Sequence, residues 1–210
     1  MAISIFNIVK ITHDYKTADT VNKSLQEQFI KPNNIEPSID PIPEEKITIP
    51  ISVDFEALKK ANDDIVGWIY CPDTPINYPV VKSKDNTQYL RADLNGKYLV
   101  SGTIFADYRN KDIGIDSNYI IYGHNMKNGT MFSDLKKYLD SDLREAHKMI
   151  EFQTADGVFL FEVTDVIRTN ITDERYNQIN STDGRTLALS TCYGSAKSDR
   201  LLIIAKEVTT

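Results

Sequence analysis

The sequence predicts a mostly β domain, arranged as a mostly antiparallel barrel or sandwich that carries short helices. Short apolar runs with the two-residue alternation of strands occur about eight times along the chain, and turn residues separate them. The helical patterns are short and do not alternate regularly with the strands, as they would around a parallel sheet. The 210 residues, 41% of them hydrophobic, suffice for one domain with a real core and an appendage.

Residues 1–53 are predicted to form the appendage, a helix followed by a linker. Apolar residues recur at helical spacing within residues 14–29, at Ala18, Val21, Leu25 and Phe29. Four prolines then fall within residues 32–43, which excludes a helix there and indicates an extended linker. We therefore place the domain boundary near Pro50.

The apolar start of the chain, residues 3–9, allows two interpretations. It has no charged leader, so it is either a small amphipathic segment or the remainder of a removed membrane anchor, with Met1-Ala2 added in cloning. No apolar run in the sequence approaches the roughly 20 residues that a membrane-spanning helix needs.

Residues 54–210 are predicted to form the β domain, which opens with a short helix over residues 55–61 capped by Asp54. Strands are expected at residues 67–71, 76–81, 101–106, 118–122, 149–154, 158–167, 186–192 and 201–208. Two more short helices are expected, near residues 131–135 and 141–147. The lone tryptophan, Trp68, is expected to pack in the core.

Charge and cysteine content exclude several function classes. The formal net charge of −6, without any basic run, argues against a nucleic-acid partner. Cys71 and Cys192 are too few for a disulfide scaffold, and neither lies in a CxxC or Cys-His pattern that would bind zinc. We expect two free thiols, and we expect Cys71 to be structural or incidental because no base lies near it in sequence.

The strand over residues 186–192 ends on Cys192, and the next strand opens with Arg200. If the two strands pair, the thiol and the guanidinium lie at the mouth of one loop. An unperturbed thiol has a pKa of about 8.5, so little of it is thiolate at neutral pH, and a neighbouring cation raises that share. Cys192 is therefore a candidate nucleophile, and Arg200 a candidate clamp for an oxyanion or the substrate backbone. The alternative is a surface arginine paired with Asp199 or another acid.

A thiol nucleophile needs a base, and the chain has three histidines. His13 belongs to the appendage, where a solvated side chain is expected, and His147 ends a charged helix, whose C-terminus favours an imidazolium. His124 instead follows an apolar strand directly, beside Gly123, which allows close approach of backbone or ligand. Asn125 could orient the ring or contact a substrate. His124 is therefore the candidate base.

These residues lie in motifs that resemble those of sortases, the cysteine transpeptidases of Gram-positive surfaces. Residues 189–192, Leu-Ser-Thr-Cys, with Arg200 on the next strand, resemble the sortase signature. Residues 119–132, around His124, resemble the histidine motif of the class B branch. Further class B-like segments lie at residues 66–69, 76–81, 101–105 and 107–110. The resemblance thus covers nearly the whole predicted β domain.

The resemblance implies an eight-stranded sortase-type β-barrel with the N-terminal helical segment packed against it. It implies that Cys192 attacks the carbonyl of a threonine in a C-terminal sorting motif, with His124 as acid and base and Arg200 as the clamp. An amine, from a cell-wall peptide precursor or a pilin lysine, then resolves the thioacyl enzyme. This chemistry requires no metal and no cofactor.

The implied partners are surface proteins that carry a sorting motif and an amine acceptor of the wall or of a pilin. No nucleic acid is expected. The family is usually tethered by an N-terminal transmembrane segment, which favours the anchor interpretation of residues 3–9. The implied location is the extracellular face of the cell membrane of a Gram-positive bacterium.

The chain departs from the class B pattern in one place. A long helix-bearing insertion usually precedes the cysteine strand and shapes the substrate groove, whereas here only residues 169–185 separate the two strands. Further candidates for substrate contact are Asn125, Ser190, Tyr193 and Ser195. Of these, Ser190 would share a strand face with Cys192 because side chains alternate along a strand.

Two alternatives stay open on the sequence. A cysteine hydrolase of wall peptides would use the same thiol and base with water as the acceptor. A non-catalytic surface module would merely bury Cys192.

Overall fold

The computed structural model describes residues 2–32, 51–180 and 184–208. Its regular elements, in chain order, are α1 (Ala2–Phe29), β1 (Ile30–Pro32), β2 (Ile51–Val53), α2 (Phe55–Ala61), β3 (Ile65–Tyr70), β4 (Asn77–Val81), β5 (Ile104–Ala106), β6 (Asn118–Tyr122), α3 (Ser141–Ala146), β7 (Met149–Thr154), β8 (Gly157–Asn170), β9 (Thr186–Cys192) and β10 (Asp199–Glu207). Short 3₁₀ helices lie at Gln88–Arg91, Ser133–Leu139 and Glu174–Asn177.

Eight strands, β3 to β10, close into a barrel in the order β10-β8-β7-β3-β4-β5-β6-β9. Most neighbouring strands are antiparallel, while β4 with β5 and β6 with β9 are parallel. The prediction of an eight-stranded, mostly antiparallel barrel with short helices is therefore confirmed, and the sandwich is excluded. Closure leaves these strands without free edges, which are the usual sites of unwanted strand pairing.

Apolar side chains fill the barrel, and a second cluster packs against its outside. Interior residues from several strands include Ile69, Tyr119, Phe152, Leu187, Leu189 and Ile203. Trp68 is fully buried in the second cluster with Phe29 and Leu58, and its indole N–H donates to the Asn77 side chain at 2.6 Å. Trp68 thus packs in the core, as predicted.

Helix α1 packs on the barrel wall through the predicted apolar stripe, of which Ala18 and Phe29 are buried. The helix begins at Ala2, well before the predicted start. Two polar residues reinforce the contact: Asn22 is buried with its amide 3.5 Å from the sulfur of Met131, and Gln26 donates to the Asn77 carbonyl at 2.8 Å. In the described part of the chain, no helix combines the length and apolar character that crossing a membrane requires.

The described residues include only the two ends of the predicted linker. Strand β1 pairs antiparallel with β2, so Lys31 and Pro32 lie in a two-stranded ribbon rather than in a free linker. The ribbon is tied to the barrel because the Gln153 side chain donates to the Ile51 carbonyl at 3.0 Å. The proline-rich stretch 33–50, with the predicted boundary near Pro50, lies outside the described residues, and the division at residue 54 stays a prediction.

Local elements agree with the sequence in position, although several of their bounds differ. Asp54 caps α2, as predicted, because its carboxylate accepts from the Ala57 N–H at 3.0 Å. The strand expected from residue 101 begins only at Ile104, since Gly102 turns the chain with φ +58°. β3 ends at Tyr70, one residue before Cys71, and the helix expected near residue 131 is the 3₁₀ helix Ser133–Leu139.

Candidate active site

Parallel pairing of β6 with β9 brings the candidate base beside the candidate nucleophile. In this register Tyr122 lies opposite Ser190. His124 and Cys192 each lie two residues further along their own chain segments, at the same edge of the sheet. The two catalytic candidates, distant in sequence, are therefore neighbours in the fold.

Antiparallel pairing of β9 with β10 brings the positively charged residue Arg200 to the same site. Arg200 lies directly opposite Cys192 in the register. Opposed residues of antiparallel strands have Cβ atoms about 4.5–5.5 Å apart and share one face of the sheet. The hairpin predicted from the sequence thus places the guanidinium beside the thiol.

All three side chains belong to the outer face of the barrel. On β9, Leu187 and Leu189 pack in the interior, whereas Ala188 packs in a cluster outside it. Alternation puts Ser190 and Cys192 on the same outer face as Ala188. The pocket they border therefore lies on the barrel wall and not within the barrel.

The pocket has a volume of about 410 Å³. Its walls come from the ends of β6, β9 and β10, the segment around Asn86–Leu90, and the connection between β8 and β9. Lining residues include His124, Cys192 and Arg200, together with Asn86, Leu90, Phe105, Arg109, Tyr122, Ile171, Tyr176, Asn177 and Ser190. One concave surface thus contains the thiol, the imidazole and the guanidinium.

The two cysteines differ in solvent exposure. The first six residues of β9 are buried, and Cys192 is the exposed seventh. Cys71 is fully buried, and this burial raises the pKa of its thiol, so that it stays protonated and inert. Both thiols are free, as predicted.

The His124 ring is held by the far wall of the pocket. Its Nε2 lies 2.8 Å from the Leu90 carbonyl oxygen, which can only accept, so this nitrogen carries a proton. Nδ1 is then the nitrogen available for proton exchange. Burial lowers the pKa of His124, and the positive charge of Arg91 lowers it further, while the bond to Leu90 acts in the opposite direction. A neutral imidazole is therefore favoured at neutral pH.

Three hydrogen bonds fix the loop after β6 to the end of β9. The Gly123 N–H donates to the Ser190 carbonyl at 3.1 Å, and the Thr191 hydroxyl donates to the Gly123 carbonyl at 2.8 Å. The Asn125 side chain donates to the Cys192 carbonyl at 2.9 Å. The backbones that bear the thiol and the imidazole are therefore joined directly.

Gly123 is required here by close packing. A Cβ at this position would lie 2.5 Å from the Ile104 side chain and 2.6 Å from the Phe132 ring. The absence of a side chain lets the backbone run against these apolar groups and sets the direction in which His124 leaves β6.

The guanidinium of Arg200 is positioned by backbone carbonyls. Its Nη1 donates to the carbonyl oxygens of Lys197 and Asp199, both at 2.8 Å. The Asp199 carboxylate accepts instead from the Ala196 N–H at 2.9 Å. Among the described residues Arg200 forms no ion pair, so the surface pairing considered as an alternative is not observed. Its remaining donors are available to a ligand.

Of the other candidates for substrate contact, one lines the pocket and three do not. Ser190 is buried and lines the pocket, where its hydroxyl lies 2.8 Å from the Tyr176 hydroxyl. Asn125, Tyr193 and Ser195 are not among the lining residues. Asn125 is committed to the Cys192 carbonyl, and Tyr193 packs under Arg168, whose guanidinium carbon lies 5.6 Å from the ring centroid.

The other two histidines lie away from the pocket lining. His13 is exposed on α1, as expected. His147 caps the C-terminus of α3, and its Nδ1 lies 3.1 Å from the Asp73 carboxylate. Across the described ranges, no group of three or more His, Cys, Asp or Glu residues could hold a metal ion.

Several lining residues were not identified from the sequence. Arg109 falls in a segment noted only for its family resemblance, and Tyr176 lies in the short connection before β9. The alternation that places Ser190 beside Cys192 also places Tyr122 on the pocket face of β6. That signal could have identified Tyr122 once β6 was paired with β9.

The titration of His124 gives a direct test of its environment. We expect the imidazole resonance to titrate with a midpoint below that of the same residue in the urea-unfolded chain, near 6.5, because burial disfavours the charged ring. NMR of the ring protons, with His124→Gln to assign the signal, measures this. Since the native state then binds fewer protons, stability should fall as the pH drops below about 6.5. A midpoint at or above the unfolded value would contradict the expectation.

A closed barrel that presents a thiol, an imidazole and a guanidinium around one surface pocket has the features of a thiol-dependent acyl-transfer enzyme. The sortase domain model matches residues 69–208. Sortase B of Staphylococcus aureus is 34% identical over 179 residues, which are 72% of this chain and 73% of that protein. Sortase B of Listeria monocytogenes is 47% identical over 106 residues, half of this chain and 42% of that protein.

The structural comparison agrees. The crystal structure of sortase B from Bacillus anthracis has a TM-score of 0.72 and 30% identity, covering 95% of this chain and all of that one. The chain belongs to the sortase family of cysteine transpeptidases, and these relatives place it in class B.

Proposed function

We propose that this chain cleaves a C-terminal sorting motif of surface proteins at a threonine carbonyl and transfers the protein to an amine of the cell wall or of a pilin. The observation that carries the proposal is the strand register that places Arg200 opposite Cys192 and His124 beside it at one pocket. Family membership supports the general activity of wall sorting.

In the acylation step, the Cys192 thiol gives its proton to the free Nδ1 of neutral His124. The sulfur forms a bond to the threonine carbonyl carbon, and the carbonyl π electrons move to the oxygen. When this intermediate collapses, the C–N bond breaks and the imidazolium returns the proton to the leaving amine. The lowered pKa of His124 suits both proton transfers, because the neutral ring can accept the thiol proton and the imidazolium then releases it readily to the leaving amine.

Arg200 acts on the same intermediate as an electrostatic clamp. Its position opposite Cys192 supports this role, because its free donors would then lie near the carbon that the sulfur attacks. Because two backbone carbonyls already hold Nη1, the guanidinium needs little reorganisation as negative charge develops on the substrate oxygen.

In the second step an acceptor amine attacks the thioester carbon. The amine proton passes to His124, the C–S bond breaks, and the sulfur leaves as a thiolate that regains the proton. The acceptor is an amine of a peptidoglycan precursor or of a pilin, and the protein acts at the extracellular face of the membrane, held by an N-terminal anchor. Its relatives come from Gram-positive bacteria, which supports this location.

The proposal is tested with a fluorogenic sorting-motif peptide, incubated with and without an amine nucleophile such as triglycine. We expect the amine to be incorporated into the product, identified by mass, and to increase the rate of turnover. The hydrolase alternative predicts the free acid as the product whether or not the amine is present. If the identity and the yield of the product do not depend on the amine, the transpeptidase proposal is wrong.

A further inference from the structure

The connection between β8 and β9 forms one wall of the pocket. Its described residues include Ile171, Tyr176 and Asn177, and all three line the pocket. The connection is short, its 3₁₀ helix Glu174–Asn177 is a single turn, and Tyr176 is the only buried residue in that turn. So small a segment has no core of its own, and contacts with the barrel must therefore hold it.

Arg109 supplies such contacts from the segment after β5. Its Nη2 donates to the Tyr176 carbonyl at 2.6 Å, and its Nη1 donates to the Asn177 side chain at 3.3 Å. Further along the connection, the Asn118 side chain donates to the Gln178 carbonyl at 3.0 Å. Arg109 thus holds the backbone of the pocket-facing part, while the Tyr176 side chain packs against Ala188 and contacts the Ser190 hydroxyl. Asn118 holds the part beyond it.

Asp107 fixes the guanidinium in turn. Its two carboxylate oxygens accept from Nε and Nη2 of Arg109, each at 2.8 Å, which is the two-pronged geometry that suits this pair. The Asp107 side chain is 0% exposed, compared with 33% for Arg109. A buried carboxylate with this geometry leaves the arginine little freedom.

The same carboxylate joins two more parts of the pocket. One Asp107 oxygen accepts from the Tyr122 hydroxyl at 2.8 Å and from the Asn86 side chain at 3.1 Å. Burial alone would raise the pKa of Asp107, but the hydrogen bonds from Arg109, Tyr122 and Asn86 outweigh burial and lower it. The ionised carboxylate therefore links three segments around the pocket.

We propose that Arg109 is a positioning residue, which holds the short β8–β9 connection against the barrel and so sets the width of the substrate pocket. Its role in substrate binding rests on the proposed function. Arg109 does not serve as a second clamp for the substrate oxygen, the role proposed for Arg200. Four of its N–H donors are already engaged by Asp107, Tyr176 and Asn177. The small connection thereby obtains the rigidity that its own length does not provide.

The test compares Arg109→Met and Arg109→Lys with the unchanged protein. Hydrogen exchange should accelerate in residues 174–178 of both variants and stay unchanged in β9. KM for the sorting peptide should rise about tenfold in Arg109→Met, the loss expected for hydrogen bonds from a charged group, with kcat within about threefold. Arg109→Lys keeps the positive charge but lacks the planar set of guanidinium donors, so KM should return only part of the way to its original value. Alkylation of Cys192 should proceed at the original rate.

Arg175→Met is the matched control, because Arg175 lies in the same turn and, among the described residues, its side chain pairs only with Asp173. It should leave KM unchanged. If Arg109→Met does not fold because Asp107 is left unpaired, the double variant Asp107→Asn with Arg109→Met gives the same readouts without the buried charge.

Unchanged exchange in residues 174–178 would overturn the positioning role, and so would a fall in kcat at constant KM, since that pattern indicates a role in the chemical step. A protein that turns over no sorting peptide at all would defeat the proposed function. Hydrogen exchange would then still decide whether Arg109 holds the connection.

Discussion

Cys192→Ala is expected to reduce peptide turnover by at least about a thousandfold, because no other group can form the thioacyl intermediate. The side chain is exposed at the end of β9, so the free energy of unfolding should change by less than about 0.5 kcal/mol. Turnover of the sorting peptide and the thermal unfolding midpoint are the two measurements. A mass increase that corresponds to the acyl group should appear in the unchanged protein and be absent in the variant.

Cys71→Ala is the control for this variant. Cys71 is fully buried and away from the pocket, so its loss should cost roughly 1 kcal/mol of stability and leave turnover unchanged. Full turnover in Cys192→Ala would contradict the thiol mechanism. The non-catalytic alternative instead predicts no turnover in the unchanged protein and a Cys192 thiol that resists alkylation.

Arg200→Ala is expected to lower kcat/KM by about a hundredfold to a thousandfold, the size of effect found when one preorganised donor to a developing oxyanion is removed. The fold should persist, because Arg200 pairs with β8 and β9 through its backbone. Arg200→Lys should recover only a small part, since an ammonium lacks the planar fork of donors. Steady-state kinetics together with circular dichroism check both expectations.

Arg168→Ala provides the matched control for charge. Arg168 lies on the neighbouring strand β8, exposed, and stacks on Tyr193 outside the pocket lining. The Arg168→Ala substitution removes one positive charge close to Arg200 in the strand register, but on the other face of the sheet. It should leave turnover within about twofold, as surface substitutions usually do. Wild-type turnover in Arg200→Ala would remove that residue from the mechanism.

The hairpin of β9 and β10 could be predicted in detail from the sequence. Its apolar alternation is local, and a hairpin has few possible registers, so Cys192 and Arg200 were expected at the mouth of one loop, provided that the two strands paired. The proximity of His124 could not be predicted in the same way. It depends on parallel pairing between β6 and β9, which are distant in the chain, and no local pattern encodes such a pairing.

Other contacts at the site could not be predicted for a similar physical reason. Asn125 was a candidate to orient the ring or to contact a substrate, and in the structure its amide donates to the Cys192 carbonyl at the strand end. Tyr176 and Arg109 act through tertiary contacts between loops, where side-chain periodicity provides no information. Family resemblance pointed to the proposed reactive residues, whereas the contacts of Arg109 and Tyr176 became evident only from the packed structure.

The parallel pairing of β6 and β9 also has a consequence for folding kinetics. During synthesis the segment bearing His124 leaves the ribosome well before the segment bearing Cys192, and the contact between them closes a long loop. Contacts of high sequence separation form slowly, so the reactive centre is completed only when the C-terminal hairpin docks and closes the barrel. The recovery of thiol activity during refolding would therefore report on one of the last steps of folding.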